Sequence, residues 1–350
     1  MVLDLGGREM SKVLEVKDLK VRFKTYAGVV QAVRGVSFDL KEGETLAKVG
    51  ESGCGKSITA KSIMRLLPTP PAEVDKDSKI ICNGKDVLSL NKRELQSLRG
   101  GDVGMIFQDP MTSLNPTMKL GKQIIEVLNI HRGLKGEEAK QEAIRLLKLV
   151  NIPNPETRIN QYPFEFSGGM RQRMMIAIAL ACHPKVLIAD EPTTALDVTI
   201  QAQIMELIDK LKEKFKTAVV LITHDLGVVA EHSDKIQVMY AGVILERGSV
   251  KEIFEDAKHP YTWALLRSMP TLDTEHKAEL YSIEGTPPDL LNPPKGCPFA
   301  ARCEYAMEIC KEEMPEETKL SESHKVNCWL MHEYAPKVVS PLKIGGKANE

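Results

Sequence analysis

The segment Gly50-Glu51-Ser52-Gly53-Cys54-Gly55-Lys56-Ser57 decides the fold of this chain. It follows a strand-like run at residues 45–49 and precedes a run at residues 58–67 in which apolar residues recur at helical spacing. The order of strand, glycine-rich loop and helix gives the pattern G-x-x-x-x-G-K-[ST] the context of a phosphate-binding loop. Backbone N–H groups of such a loop and the N-terminus of the following helix bind phosphate oxygens, so the sequence predicts a nucleotide site.

Two side chains at the end of this loop have predicted roles. Lys56 is expected to reach the β- and γ-phosphates, and the hydroxyl group of Ser57 is expected to bind Mg²⁺. The preceding strand should be apolar throughout, yet it contains Lys48, for which the sequence offers no functional account. The predicted nucleotide-binding residues of the loop are Gly50, Glu51, Ser52, Gly53, Cys54, Gly55, Lys56, Ser57 and Ile58.

Composition excludes several classes of protein. The 350 residues carry a formal net charge of −1, and they contain no basic stripe that would bind nucleic acid. No apolar run approaches the roughly 18 residues of a membrane-spanning helix, and the first residues lack the pattern of a signal peptide. The length allows two domains, or one domain with an appendage.

The chain before the phosphate loop is expected to form an antiparallel sheet. Residues 13–23 and 33–40 read as its strands, with a turn near Ala27-Gly28. Tyr26 lies in this turn region and is the candidate for stacking on an adenine ring, with Phe23 as the alternative.

Two later strands end in polar residues that suit phosphate chemistry. The strand at residues 104–108 ends in Gln108, which is a candidate for contact with the metal ion or the attacking water. The strand at residues 185–191 ends in Asp190 and Glu191, which alternation sends to different sides. Asp190 is expected to hold the Mg²⁺ shell, and Glu191 to polarise a water for attack on the γ-phosphate.

A further buried strand at residues 218–223 delivers His224 to the same edge, where a catalytic role is favoured over a structural one. Since strands alternate with helices along the chain, we expect a parallel α/β sheet that binds its ligand at the carboxyl ends of its strands.

The middle of the chain is expected to be helical. Residues 120–150 read as helix, and a second helix follows the segment FSGGMRQR at residues 166–173. Ser167 suits the N-cap of that helix, while Gly168 and Gly169 allow an anion to approach its N-terminus closely.

In this order, the segments GESGCGKS, GMIFQ, FSGGMRQR, LIADEP, TALD and LITHD resemble the ATP-binding subunits of ABC transporters, over about residues 13–260. The resemblance implies an ATPase in which two subunits enclose two ATP molecules, and the SGG segment of each contacts the nucleotide of the other. The implied roles are adenine stacking for Tyr26, metal and permease sensing for Gln108, general base for Glu191, γ-phosphate switch for His224, partner-nucleotide contact for Ser167, Gly168 and Gly169, and a cross-dimer loop for Asp197.

Three further segments, QDPMTSLNP, HPYTWALLRSMP and PPDLLNPPKGCPFAARC, are similar to a narrower branch, the dipeptide and oligopeptide importers, and extend the resemblance to about residue 330. This branch implies a heterodimer with a second ATPase subunit at the cytoplasmic face of the cell membrane, beneath two permease subunits. An extracytoplasmic peptide-binding protein would supply the cargo. An importer of nickel or another small solute is the alternative, and a soluble ABC ATPase without a transport role is a more remote one.

Four cysteines crowd into the C-terminal part with the spacing C-x5-C-x6-C-x17-C. Four thiolates suit a [4Fe–4S] cluster or a tetrahedral structural zinc, and the spacing alone leaves the metal open. The importer resemblance implies the cluster; under the zinc alternative, His324 and His332 are nearby substitute ligands. The cysteines are Cys297, Cys303, Cys310 and Cys328.

The expected fold is therefore α/β, a phosphate-loop (RecA-like) nucleotide-binding domain of the ABC type at residues 13–260. We expect it to carry an antiparallel β subdomain and a helical signature subdomain at about residues 110–178. An irregular C-terminal metal-binding extension is expected at residues 261–340.

Overall fold

The computed structural model describes residues 11–194, 196–269 and 282–342. Within these ranges helices cover two β-sheets. The strands are β1 (Lys12–Thr25), β2 (Gly28–Lys41), β3 (Thr45–Val49), β4 (Ala72–Val74), β5 (Lys79–Cys82), β6 (Lys85–Asp86), β7 (Val103–Ile106), β8 (Val186–Asp190), β9 (Ala218–Ile222), β10 (Lys235–Tyr240), β11 (Val243–Ser249), β12 (Thr318–Lys319) and β13 (Lys325–Val326).

The smaller sheet is antiparallel. Its order is β2-β1-β5-β6, and β4 pairs with β1 beside β5. The β1–β2 hairpin confirms the predicted antiparallel strands and extends each of them by a few residues beyond the predicted bounds.

The larger sheet is the core of the molecule. Its order is β12-β13-β11-β10-β3-β9-β8-β7, and the five strands from β10 to β7 run parallel to their neighbours. Every residue of β3, β7, β8 and β9 is buried, because helices and the antiparallel sheet cover both faces. The predicted parallel α/β core is therefore confirmed.

The helices are α1 (Lys56–Ile63), α2 (Lys92–Ser97), α3 (Pro110–Ser113), α4 (Leu120–Arg132), α5 (Gly136–Leu149), α6 (Pro155–Arg158), α7 (Gly168–Leu180), α8 (Val198–Phe215), α9 (Leu226–His232), α10 (Val250–Asp256), α11 (Pro260–Arg267) and α12 (Glu308–Glu312). Among the described residues, no helix is long and apolar enough to cross a membrane.

The helices between β7 and β8 pack in one apolar cluster, which also includes residues of β8, β9 and α8. The segment at residues 120–150 is helical as predicted, but the chain turns at Gly133, which ends α4 in the left-handed region with φ +68°. Residues 136–149 then form the separate helix α5, which packs its apolar face against α4. The phosphate-loop helix is also shorter than predicted, since α1 ends at Ile63.

The C-terminal segment is joined to the core sheet. Strand β13 pairs antiparallel with β11, and β12 pairs with β13, so this segment extends the sheet by two short strands. Its residues Cys297, Phe299 and Cys310 lie in the same apolar cluster as Tyr240 and Tyr261. The segment therefore packs directly on the nucleotide-binding core.

Lys48 is the polar exception inside this core. It lies in β3 and is fully buried, where its ammonium group donates a hydrogen bond to Gln237 of β10. The same nitrogen lies 3.7 Å from the centre of the Phe38 ring of β2. Burial lowers the pKa of Lys48 to about 7, because the interior penalises its charged form. Lys48 thus fills the space between the two sheets.

Replacing Lys48 should change how stability depends on pH. Between about pH 7 and the pKa of an unfolded lysine near 10.4, the unfolded chain binds one more proton at this site than the folded chain does. The free energy of unfolding of the wild type should therefore rise with pH in this window by up to about 1.4 kcal/mol per pH unit from this group. Lys48→Met should lack that increment, as measured by urea unfolding between pH 7.5 and 9.5.

Lys210→Met is the matched control, since Lys210 is an exposed lysine paired with Glu206. Its pH profile should run parallel to that of the wild type. A parallel profile for Lys48→Met as well would show that Lys48 keeps an ordinary proton affinity.

Candidate functional site

The carboxyl ends of four neighbouring parallel strands bring the predicted polar residues to one edge of the core sheet. Strand β3 leads into the loop at residues 50–57, and β7 ends two residues before Gln108. Strand β8 ends at Asp190, and β9 ends two residues before His224. Side chains far apart in the sequence therefore face one region, as expected for parallel α/β sheets.

At two positions of the phosphate loop, the backbone conformation and the surrounding atoms allow only glycine. Gly50 has φ +143°, and a Cβ atom there would lie 2.1 Å from the carbonyl oxygen of Met239. Gly55 has φ +101°, and a Cβ atom there would lie 2.6 Å from the carbonyl oxygen of Ala32. The neighbouring strands β2 and β10 thus hold the loop from outside.

Lys56 lies at the start of α1 and is buried. Its ammonium group donates hydrogen bonds to the carbonyl oxygens of Gly50, at 2.6 Å, and Glu51, at 2.9 Å, within the loop. Burial raises the pKa of the Cys54 thiol, and the neighbouring Lys56 opposes this shift. The helix N-terminus and the Lys56 ammonium offer positive charge at the same place, which suits a phosphate group.

The two predicted magnesium residues of the loop and β8 are in contact. The Ser57 hydroxyl donates to Oδ1 of Asp190 over 2.8 Å, and Asp190 is buried. Burial raises the pKa of Asp190, and the hydrogen bond from Ser57 opposes that shift. A hydroxyl and a carboxylate beside a phosphate loop are oxygen donors of the kind that Mg²⁺ prefers, so the chemistry of this pair fits the ion.

Glu191 accepts hydrogen bonds from two side chains and lies near a third. The Gln108 amide donates to Oε2 of Glu191 over 2.8 Å, and the Thr194 hydroxyl donates to the same oxygen over 2.9 Å. Nδ1 of His224 lies 3.9 Å from the other carboxylate oxygen, Oε1. The structure therefore brings the three predicted catalytic residues together around one carboxylate.

The backbone explains how Glu191 reaches this position. Glu191 lies just beyond β8 and adopts the left-handed conformation, with φ +49°. Strand alternation, the basis of the sequence argument, therefore does not separate Asp190 from Glu191, since the chain turns between them. Thr194 is a site residue that sequence reasoning missed, and its only signal was a hydroxyl three residues after the glutamate.

Ser167 lies at the N-cap of α7 with extended backbone angles, as predicted, but its side chain makes no capping hydrogen bond. Its side chain is exposed, as is Gly168. A Cβ atom on Gly169 would come 2.9 Å from Ile200 of α8, which explains the second glycine sterically. The helix N-terminus thus stays open on the surface, which suits contact with an external anion.

Two other predicted residues lie on surface turns. Tyr26 is fully exposed at the tip of the β1–β2 hairpin, between Thr25 and Gly28. Asp197 caps α8, since its carboxylate accepts a hydrogen bond from the N–H of Ile200 over 2.9 Å. These positions are compatible with stacking and with a cross-dimer loop, and both roles stay predictions.

A contact between the C-terminal segment and the phosphate loop was not predicted. The guanidinium group of Arg302 bonds to both carboxylate oxygens of Glu51, over 2.7 and 3.0 Å. The hydroxyl of Tyr261, in α11, accepts a hydrogen bond from the N–H of Glu51 over 2.9 Å. Sequence reasoning missed both, because Arg302 and Glu51 are separated by 251 residues.

Three of the four C-terminal cysteines, Cys297, Cys303 and Cys310, pack in one apolar cluster, and the N–H of Cys297 donates to the carbonyl oxygen of Cys310 over 2.8 Å. Burial raises the pKa of Cys297 and Cys328 to about 12, and that of Cys303 to about 11. The other three cysteines raise the pKa of Cys328 further. In residues 11–194, 196–269 and 282–342, however, no group of three or more His, Cys, Asp or Glu residues is placed to hold a metal ion.

The two substitute zinc ligands are engaged elsewhere. Nε2 of His324 lies 2.8 Å from a carboxylate oxygen of Glu246, and the His332 ring packs near Trp329 at 6.0 Å between ring centres. His324 is therefore occupied by Glu246, and the choice between zinc and the cluster at the four cysteines stays a prediction.

Two family models match the sequence. One is described as "ABC transporter" and matches residues 33–194, and the other is described as "Oligopeptide/dipeptide transporter, C-terminal region" and matches residues 245–310. The two models together span the phosphate loop, the α7 segment and three of the four C-terminal cysteines.

Curated proteins resemble the chain over most of its length. The oligopeptide transport ATP-binding protein OppD of Bacillus subtilis is 59% identical over 338 residues, which cover 97% of this chain and 94% of that protein. The dipeptide transport ATP-binding protein DppD of the same organism is 56% identical over 330 residues, covering 94% of this chain and 98% of that protein.

Among solved structures, the ATP-binding cassette MJ0796, described as a dimer in a post-hydrolysis state bound to ADP and Pi, is 29% identical with a TM-score of 0.60. The structural match covers 68% of this chain and 98% of the cassette.

The steric role of Gly50 can be tested by stability measurements. Gly50→Ala should lower the free energy of unfolding by about 3 kcal/mol or more, because the new Cβ atom meets the backbone of β10 and the positive φ strains it. Gly53→Ala is the matched control, with φ +77° and open space around it, and should cost only about 1–2 kcal/mol. Equal losses in urea unfolding would contradict the proposed contact with Met239.

Proposed function

The chain belongs to the family of ATP-binding proteins of ABC transporters, and we propose that it hydrolyses ATP to energise the import of dipeptides and oligopeptides through a pair of membrane permeases. The observation that carries the chemistry is the Glu191 carboxylate, held by Gln108 and Thr194 beside the phosphate loop. The peptide cargo is supported by relatives that are 59% and 56% identical and are named as oligopeptide and dipeptide transport proteins.

In the proposed reaction the phosphate loop binds the ATP phosphates with its backbone N–H groups and with Lys56. Mg²⁺ would be held by Ser57, with Asp190 and Gln108 in its shell, and it would neutralise charge on the phosphates. Glu191 accepts the proton of the water that attacks the γ-phosphate, while Gln108 and Thr194 fix its orientation. His224 lies beside Glu191 and would contact the γ-phosphate. Tyr26, exposed at the hairpin tip, would stack on the adenine.

The proposed working form is a dimer of ATPase subunits, with a second, different subunit as the partner. Ser167 and Gly168 are exposed at the start of α7, and the Ser167 hydroxyl is not used as a cap. These groups are therefore available to the nucleotide of the partner subunit. Asp197, at the start of α8, would lie in the loop that crosses the dimer. The similar MJ0796 cassette is described as a dimer, which supports this arrangement.

We place the chain at the cytoplasmic face of the cell membrane, bound peripherally to two permease subunits. An extracytoplasmic peptide-binding protein would deliver the cargo to the permeases. The closing of the ATPase dimer on ATP and its reopening after hydrolysis would then drive alternating access of the permeases.

Glu191→Gln tests the assigned general base. The amide cannot accept the proton of the attacking water, so hydrolysis should fall by about a hundredfold or more, while ATP binding is retained. With the partner ATPase subunit present, ATP-bound subunits should therefore accumulate as dimers, as measured by size-exclusion chromatography with radiolabelled ATP. Glu206→Gln, an exposed glutamate on α8, is the control and should hydrolyse ATP at the wild-type rate. Undiminished hydrolysis in Glu191→Gln would overturn the assignment.

We further propose that Cys297, Cys303, Cys310 and Cys328 hold a [4Fe–4S] cluster. The backbone N–H of Cys297 donates to the carbonyl oxygen of Cys310 over 2.8 Å, and Cys297, Cys303 and Cys310 belong to one packed cluster, which supports a common site. Burial disfavours uncompensated thiolates, and bound iron would supply the missing positive charge. The described residues hold no group placed for a single metal ion, so the proposal rests on the number and proximity of the thiols and on the importer resemblance.

Metal analysis of anaerobically purified protein tests the cluster. We expect about four irons and four acid-labile sulfides per chain, with broad visible absorbance. Both should disappear in Cys303→Ser and persist in Cys182→Ser, since Cys182 lies in the helical subdomain, away from this segment. A colourless wild-type protein without iron would contradict the cluster and leave the ATPase proposal intact.

A further inference from the structure

Arg302 connects the cysteine segment to the phosphate loop. It ends the short 3-10 turn Ala300–Arg302 and directly precedes Cys303. Its side chain is only 6% exposed, and it makes the two-bond contact with Glu51 described above. A planar guanidinium that meets a carboxylate with two parallel bonds fixes both groups in distance and in orientation.

The remaining donors of Arg302 are also used. Nη1 donates to the hydroxyl of Tyr240 over 2.9 Å, and Nη2 donates to the carbonyl oxygen of Ile283 over 2.9 Å. Nε donates to the carbonyl oxygen of Glu284 over 2.8 Å. With the two bonds to Glu51, these contacts use all five N–H donors of the guanidinium. Its position is therefore determined by the C-terminal segment and by β10 together.

Glu51 in turn contacts the Lys56 ammonium. The Glu51 carbonyl oxygen accepts a hydrogen bond from Nζ of Lys56 over 2.9 Å, and the Glu51 N–H donates to Tyr261. Both ends of Glu51 are thus held from outside the loop, its side chain by Arg302 and its backbone by α11. A displacement of Arg302 would be transmitted to the group that binds phosphate.

The same segment also supports the hairpin that carries Tyr26. The N–H of Gln31 donates to the carbonyl oxygen of Leu290 over 2.9 Å, and a Cβ atom on Gly28 would lie 3.3 Å from Leu291. Arg34 of β2 donates to the carbonyl oxygen of Pro294 over 3.2 Å. Residues 283–302 therefore touch two sides of the predicted nucleotide site.

We propose that Arg302 is a positioning residue for the phosphate loop, through which the folded cysteine segment sets the affinity of the chain for ATP. The proposal rests on the proposed ATP-binding function of the loop. Arg302 touches no reacting atom and acts only through Glu51 and Lys56. The alternative is that the Arg302–Glu51 pair merely fastens the segment to the core.

A double-mutant cycle on the full chain distinguishes the positioning role of Arg302 from a purely fastening role. The affinity for a fluorescent ATP analogue with Mg²⁺ is measured for the wild type, Arg302→Met, Glu51→Gln and the double variant, with thermal unfolding followed in parallel. We expect each single variant to bind about tenfold more weakly, the order expected for loss of a charge-assisted hydrogen bond. The double variant should be no weaker than either single variant, because the pair acts as a unit.

Lys311→Met, an exposed lysine of α12 paired with Glu308, is the control and should keep wild-type affinity. Unchanged affinity in Arg302→Met, or additive losses in the double variant, would overturn the proposal. If Arg302→Met does not fold, the same cycle with Arg302→Lys decides, since lysine keeps the charge but loses the paired bonds. A wild-type chain that fails to bind the analogue would instead refute the proposed function.

Discussion

The burial of the parallel strands on both faces is the constraint on which the rest of the structure depends. No residue of β3, β7, β8 or β9 is exposed, so polar chemistry is excluded from the strands unless a partner compensates for it. Polar side chains therefore collect where the strands end. Glu191 shows the consequence, because the chain leaves β8 in a left-handed turn and presents the carboxylate to Gln108. The arrangement of Gln108, Glu191 and His224 is therefore a product of strand ends rather than of any one motif.

This constraint also explains what the sequence could predict. The buried strands and the phosphate loop have local sequence signatures. The pattern alone therefore predicted their order along the chain, the parallel core, and the sheet edge that carries Gln108, Asp190 and His224. The ends of helices were harder to predict, as Gly133 shows, because this single left-handed glycine ends α4 inside a segment predicted only as helical over residues 120–150. Thr194 escaped notice because a hydroxyl near a turn has no distinctive spacing.

Lys48 illustrates the cost of breaking the constraint. An ammonium group in a strand buried on both faces requires an acceptor, and Gln237 of the neighbouring strand provides one together with the face of the Phe38 ring. All three lie between the two sheets, where β2 covers the core. Because the compensating groups come from two other strands, β10 and β2, no inspection of the β3 sequence alone could reveal them. The burial of Lys48 therefore depends on tertiary contacts, because the fold brings Gln237 and Phe38 to it.

The phosphate loop, like Lys48, depends on contacts from distant parts of the chain. Its glycines hold positive φ angles that most residues cannot adopt, and such a backbone persists only where the surrounding structure holds it. Here the support comes from the far end of the chain, through Tyr261 on the Glu51 backbone and Arg302 on its side chain. A lysine at 302 could offer a charge but not five donors in one plane, and it could not bind two carboxylate oxygens while also holding Tyr240 and two backbone carbonyls. The choice of arginine therefore favours orientation over simple attraction, and orientation is what the proposed contact of Lys56 with a phosphate requires.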